Sequence, residues 1–284
     1  MPCLRSSLLA VLLLASPYVV AIDLEPLWDF GDPALSESRF RAALATAKGD
    51  DALILETQIA RTYGLRRDFQ RARQILQAMD VGQAGSEPRI RHALELGRTY
   101  ASAAHPKESQ TAEAKARARV LYVQAFELAR KEKFDALAID AVHMLAFVDT
   151  EPVDQLKWAQ EGLALVESSA QPAAKRWEAS LRNNAGYALH QLGRYEEALA
   201  QFEQALALRT PGTDSARVAQ WMVAWTLRSL GRLDEALRLQ LQLEREFDAA
   251  GKADPYVFEE LELLYRAKGD DARAAHYGSK RKTQ

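Results

Sequence analysis

The sequence predicts an all-α protein, a solenoid of antiparallel helix pairs, on three observations. Alanine, leucine, glutamine, glutamate and arginine dominate the 284 residues while runs of valine, isoleucine and threonine are scarce, a balance that favours helix over strand on intrinsic propensity. Nine residues separate Tyr63 from Ala72, Leu189 from Ala198, Leu227 from Ala236 and Tyr265 from Ala274, so four segments share one hairpin geometry. Gly193, Gly231 and Gly269 are 38 residues apart twice, each at a place where a helix must stop. A hairpin recurring at fixed period signals stacked repeats, in which each unit touches only its neighbours.

Composition narrows the function classes. With 48% hydrophobic and 27% charged residues the chain has the balance of an ordered globular protein. A net charge of -2 argues against a nucleic-acid binder held by phosphate neutralisation. Arg5, the apolar run from Leu8 to Ala15, Pro17, and the small residues Val19 and Ala21 read as a secretory signal peptide over residues 1–21, cleaved so that the mature chain begins near Ile22. The other reading of this run is a buried N-terminal helix or a retained signal anchor, although it is short for a bilayer span. The single cysteine, Cys3, precedes the apolar run, which is the wrong side for lipid attachment. The expected location is periplasmic or otherwise exported, with no integral membrane span in the mature chain.

Residues 22–48 form a lead-in with Trp28 and Phe30, then a capping helix started by Asp32-Pro33, a side-chain acceptor before a first-turn proline. Such a helix covers the apolar face that an end repeat would expose. Residues 49–284 hold six repeats. In the first, Ala60 and Tyr63 face Ala72 and Leu76 across a turn at Arg66 to Asp68. In the second, Leu96, Gly97 and Tyr100 face Ala118, Tyr122 and Ala125, which begin eighteen residues after Tyr100; a longer loop around His105-Pro106, or a second helix beginning near Ser109, houses the excess. The third pairs Ala141, Val142 and Leu145 with Ala159, Leu163 and Val166, with extra residues near Glu151-Pro152. The fourth, from Leu181 to Leu208, is the clearest: Ala185, Gly186 and Leu189 lead through Gly193 to Ala198, Phe202 and Ala205.

This alternation, large, large-small, large on one helix and small, aromatic, small on the next, resembles the tetratricopeptide repeat (TPR) from about Asp50 to the C-terminus. Ala60, Gly97, Gly186 and Ala224 occupy the small place, where helix backbones approach closely. Arg182 and Gln220 stand where the family often has a bulky aromatic, and Glu262 where it has a small residue. The resemblance implies a right-handed superhelical solenoid whose first helices line a concave side, and a non-catalytic scaffold that binds a protein or peptide there.

On that register Asn183, Tyr187 and His190 project into the groove from the fourth repeat, and Trp221, Trp225 and Arg228 from the fifth. Arg61 and Arg98 hold the same place as Tyr187 and Trp225, and Arg266 that of His190 and Arg228. Together they describe an aromatic patch flanked by guanidinium groups, the residue types most enriched at binding hot spots and suited to bidentate capture of carboxylates. Competing readings are core packing for the two tryptophans and intrahelical ion pairs for the arginines. Asn183 lacks the neighbouring lysines with which some members of the family clamp a terminal carboxylate.

Catalysis finds no constellation. The five histidines are scattered, and Asp140 with His143 is a lone pair where metal sites need three or four ligands. Acidic pairs at Glu196-Glu197, Asp234-Glu235 and Asp270-Asp271 fall at helix starts, where they complement the helix dipole. No catalytic residue, metal or cofactor is expected. The alternatives to an adaptor are a self-assembling, homo-oligomeric envelope protein and, if the N-terminus is retained in the cytoplasm, a regulatory adaptor there; an enzyme reading would rest on His143 or His190.

Overall fold

Several helix starts and stops follow local chemistry. The Asp32 carboxylate accepts from the N–H groups of Ala34 and Leu35 and opens α1 (Pro33–Leu44), as a cap ahead of a first-turn proline should. The computed structural model describes residues 22–282; the leader expected over residues 1–21, with Cys3, lies outside them. After α1 come α2 (Gly49–Leu65), α3 (Phe69–Ala78), α4 (Ser86–Arg98), α5 (Ala112–Lys131), α6 (Asp135–Val148) and α7 (Pro152–Ser168). A single turn, α8 (Pro172–Lys175), leads to α9 (Glu178–Gln191), α10 (Tyr195–Ala207), α11 (Asp214–Ser229), α12 (Leu233–Ala249), α13 (Pro255–Ala267) and α14 (Asp271–Lys282). Among the described residues there is no strand, and no helix is long and apolar enough to cross a membrane.

The helices pack as six hairpins: α2 with α3, α4 with α5, α6 with α7, α9 with α10, α11 with α12, and α13 with α14. α1 covers α2, and α5, α7, α10 and α12 each lean on the first helix of the following hairpin. Gly193, Gly231 and Gly269 adopt φ of 72°, 74° and 76°. The next N–H turns back across the helix end each time, from Arg194 to the Leu189 carbonyl, Arg232 to Leu227 and Asp270 to Tyr265, all at 2.9 Å, which is the Schellman closure. Arg67, at φ 65°, makes the same closure in the first repeat through Asp68 and Tyr63.

Close approach explains the glycines inside helices. A Cβ on Gly97 would lie 2.5 Å from the Tyr122 ring, and one on Gly186 2.8 Å from Phe202, so each glycine lets an aromatic of the second helix seat directly on the first. The last repeat reverses the two sizes. Glu262 fills the small place and Gly278 stands opposite, where a Cβ would meet the Glu262 carboxylate at 3.2 Å. The exchange keeps Glu262 buried, ion-paired to Arg266 at 2.7 Å and Arg281 at 3.4 Å. The third repeat makes a similar exchange between Val142 and Gly162. In the fifth, Gln240 takes the aromatic place, fully buried with neither amide atom partnered.

The two irregular connections resolve differently. In the second repeat both a longer loop and a longer helix house the excess: a 3₁₀ turn at Lys107–Ser109 precedes Thr111, whose hydroxyl caps the 20-residue α5. In the third, only three residues separate the end of α6 from Pro152, which opens α7, so the extra length near Glu151-Pro152 is helix rather than loop. The N-terminal lead-in packs Ile22, Leu24, Leu27 and Trp28 on Phe40, Leu55 and Ile59, with Trp28 stacked on Phe30 at 4.7 Å and edge-on to Phe40 at 4.9 Å.

Candidate functional site

A small residue on a first helix faces its own hairpin partner, so the next residue, about 100° further round the helix, leaves that contact and points into the groove. This place holds Arg61 on α2, Arg98 on α4, His143 on α6, Tyr187 on α9 and Trp225 on α11. Two positions before the small residue stand Glu95, Asp140, Asn184 and Glu260, and a rule links the two sets from repeat to repeat. Arg61 Nη1 donates to Glu95 Oε1 at 3.2 Å, Arg98 Nη2 to Asp140 Oδ1 at 2.5 Å, and Asn184 Nδ2 meets His143 Nδ1 at 3.1 Å. Each link joins one first helix to the next, and buried charge-assisted bonds of this kind fix register as well as adding energy.

The groove's N-terminal half, over α2, α4 and α6, is therefore polar but internally satisfied. Arg98 also donates to Glu95, and Arg61 lies 4.0 Å from Asp140. Burial alone would raise the Asp140 carboxyl, but the Arg98 and Arg61 charges overcome it and hold it below the ordinary carboxylate value. Burial pushes the His143 imidazole down, only partly opposed by Asp140. A pocket of about 230 Å³ opens here, lined by these five side chains together with Phe69, Phe147 and Trp177. A second, of about 210 Å³, is lined by His143, Phe147, Asn183, Asn184 and Tyr187; His143 and Phe147 line both, which makes one groove from α2 to α9.

The C-terminal half is aromatic. Tyr187 stacks on Trp225 at 6.1 Å, Trp225 on Trp221 at 5.7 Å, and Trp221 meets Tyr256 edge-on at 6.4 Å. Tyr187 and Tyr256 are 42% and 64% exposed; the two tryptophans are half-buried, each resting on an interhelical core cluster. His190 braces Trp225, with ring centroids 3.4 Å apart, and bonds the Ser229 hydroxyl through Nε2 at 2.9 Å. Burial, then the nearby Arg228 charge, lowers its imidazole to about 4. Arg228 is committed to Glu260 by two bonds of 2.7 and 2.8 Å.

The structure thus brings together Arg61 and Arg98 in one half and Tyr187, His190, Trp221 and Trp225 in the other, with Asn183 between them. Arg61, Arg98 and Arg228 are occupied by internal carboxylates rather than presented as open clamps, and the exposed Arg266 pairs within its own helix to Glu262. Sequence reasoning missed Glu95, Asp140, Asn184 and Glu260 as groove residues, although their shared offset from the small residue could have found them. It placed no groove residue on α6, where His143 follows Val142 as Arg98 follows Gly97. Tyr256 carries no such signal, because it lies in the first turn of α13, outside the recurring offsets. Asp140 is bound to Arg98, and among the described residues no three His, Cys, Asp or Glu side chains converge as a metal site.

Residues 177–245, spanning α9 to most of α12, match the tetratricopeptide repeat family model. A Signal Transduction ATPase with Numerous Domains (STAND) protein with a tetratricopeptide repeat sensor from Pyrococcus horikoshii superposes on 88% of this chain at a TM-score of 0.68 and 14% identity. The chain spans only 39% of that protein's length. TPR-like repeats of a kinesin light chain from Podosopora anserina align over 76% of this chain and 99% of their own (TM-score 0.53, 18% identity). A Rap protein complexed with Competence and Sporulation Factor aligns over 88% and 69% (TM-score 0.54, 15% identity). At such identities the likeness is one of fold. No curated protein matches the chain.

Proposed function

We propose that this chain, whose residues 177–245 match the tetratricopeptide repeat family model and whose fold is that of TPR-like repeats, is a non-catalytic adaptor seating a peptide or protein segment along its concave groove, in the cell envelope after loss of residues 1–21. One observation carries the reading: side chains at a single repeat offset, from Arg61 to Trp225, line a groove that is continuous through two joined pockets and ends on exposed rings. The carboxylates and guanidinium groups in it satisfy one another, which suits recognition by shape and aromatic contact. Among the fold relatives, one carries its repeats as a sensor and another was captured with a bound factor; both support a binding role.

The test is affinity capture from an envelope extract with the chain beginning at Ile22 as bait and a Tyr187→Ala, Trp225→Ala double variant as control. The expected outcome is a partner held by the parent and lost by a control that retains its helical circular dichroism. Identical partners on both baits would defeat the groove reading. Arg228→Ala makes a poor control, because Glu260 would be left buried and unpaired, a loss of about 3–5 kcal/mol. The N-terminal residue of protein purified from its own host checks the compartment; Met1 in place of a residue near Ile22 would sink the exported part.

A further inference from the structure

The ion pairs in the polar half of the groove use one oxygen of each carboxylate. Glu95 Oε1 accepts from Arg61 Nη1 at 3.2 Å and from Arg98 Nη1 at 2.5 Å, and Asp140 Oδ1 accepts from Arg98 Nη2. Among the described residues Glu95 Oε2 accepts no hydrogen bond, and Arg61 Nε is buried without an acceptor. Asp140 Oδ2 stands 4.0 Å from Arg61 Nη1, beyond hydrogen-bond reach, so a carboxylate oxygen and a guanidinium lie side by side without being joined. Trp28 and Phe30 sit over that guanidinium at 5.7 and 6.0 Å, an attraction that holds it in place. Arg61, Arg98, Glu95 and Asp140 are the charged side chains that line the cavity of about 230 Å³, and their charges cancel. His143 adds none at neutral pH, because burial lowers its imidazole from 6.5. Most of the remaining wall is apolar, with Leu65, Phe69, Met144, Phe147 and Trp177.

These charges restrict what the cavity can take. A lone anion would come to rest beside Glu95 and Asp140, and a lone cation beside Arg61 and Arg98, each a like-charge approach in a place partly shielded from water. A hydrocarbon would leave the buried Arg61 Nε–H without an acceptor. A ligand with both charges close together and an apolar remainder avoids all three faults, and a free α-amino acid with an apolar side chain is such a molecule. Its ammonium and carboxylate share one carbon, so they can meet Asp140 and Arg61 across the 4.0 Å that separates those two, while the side chain lies on the apolar wall. Size agrees: a cavity of about 150 Å³ holds the six heavy atoms of benzene. On that scale about 230 Å³ holds about nine, the number in leucine, isoleucine or methionine. We propose that the cavity between α2, α4 and α6 binds a free, zwitterionic α-amino acid with an apolar side chain of leucine size, its carboxylate on Arg61 and its ammonium on Glu95 and Asp140. The site goes beyond the adaptor reading and does not depend on it, since the aromatic half of the groove stays open to a partner.

Leucine, isoleucine, methionine and glycine are titrated into the purified protein by calorimetry at neutral pH, with leucinamide, N-acetylleucine and N-acetylleucinamide as forms that lack one charge or both. The three apolar amino acids are expected to bind. Glycine and the blocked forms should bind about tenfold more weakly or worse, since each loses the apolar contact or a charge-assisted one. Arg61→Met should weaken leucine about tenfold; it leaves Glu95 paired to Arg98, so the fold keeps its buried ion pair. Phe147→Ala, at an exposed position, should weaken leucine about fivefold, and retained helical circular dichroism checks both variants. If none of the three amino acids binds saturably at millimolar concentration, the proposal is overturned. N-acetylleucinamide bound as tightly as leucine overturns it in favour of a peptide-like segment, and leucine affinity unchanged in Arg61→Met overturns it as well. No titration uses a partner protein, so each of these outcomes is separate from capture through Tyr187 and Trp225.

Discussion

The two halves of the groove are built at the same repeat offset and end in opposite chemistry. Over α2, α4 and α6 the offset holds Arg61, Arg98 and His143, each tied to a polar residue two places before the small slot of the next repeat. Over α9 and α11 it holds Tyr187 and Trp225, which stack on each other. The difference teaches that the register of a solenoid and the character of its groove are separable: small residues behind the helices set the first, while the outward side chain is free to vary because it touches only the neighbouring repeat. The polar half is held by directional bonds between buried charges, and the aromatic half by area, with His190 as a neutral brace.

The largest expected effect comes from breaking the polar half. Asp140→Ala leaves Arg98 buried with half of its partners gone, and should lower unfolding free energy by about 3–5 kcal/mol, read from the urea midpoint at constant slope. Asp140→Leu combined with Arg98→Met should recover most of that loss, since Arg61 and Glu95 remain paired; an unchanged midpoint in the single variant would mean that the network contributes nothing. A smaller effect of opposite sign tests the packing behind the aromatic half. Leu76 stands opposite Ala60 in the first repeat, at the place that Gln240 occupies opposite Ala224. Gln240→Leu should therefore raise the melting temperature, through a gain of about 1–2 kcal/mol from removing an unpartnered buried amide; a loss would show that the amide has a partner in solution.

A third effect is read by pH and involves both halves. His190 has its folded value lowered from 6.5 to about 4, so between those values the unfolded chain binds the extra proton, and stability falls as pH drops through that window and levels below it. His143 is lowered too and acts in the same direction from 6.5 downward, whereas the Asp140 contribution is present above 3.8 and is lost only as pH falls through its still lower folded value. Proton-resonance titration of the His190 ring should show it neutral at pH 5. Titration near 6.5 would mean that the stack on Trp225 is open in solution and that the aromatic half is less closed than the polar one.

Hairpin count and turn placement were legible because they rest on local chemistry. Gly193, Gly231 and Gly269 mark closures that need positive φ, and Gly97 and Gly186 mark the contacts that admit an aromatic. The equivalent closure at Arg67 was legible only through the spacing of Tyr63 and Ala72, since nothing about arginine announces a left-handed backbone. Less of the site could be read. Tyr187, Trp221 and Trp225 stood out as residue types that gain from burial at an interface, but Arg98 and Arg228 looked like free guanidinium groups until their partners were placed on the next repeat.

By itself, then, the sequence determined the all-α class and the helix pairing, because period, glycine placement and residue size act over distances of one or two turns. Only the tertiary structure decided which groove side chains remain available. Whether Arg61 meets Glu95, whether Glu262 is buried against Gly278, and whether His190 braces Trp225 depend on contacts between residues 16 to 35 positions apart, where small shifts in helix packing choose the partner and no local pattern records the choice.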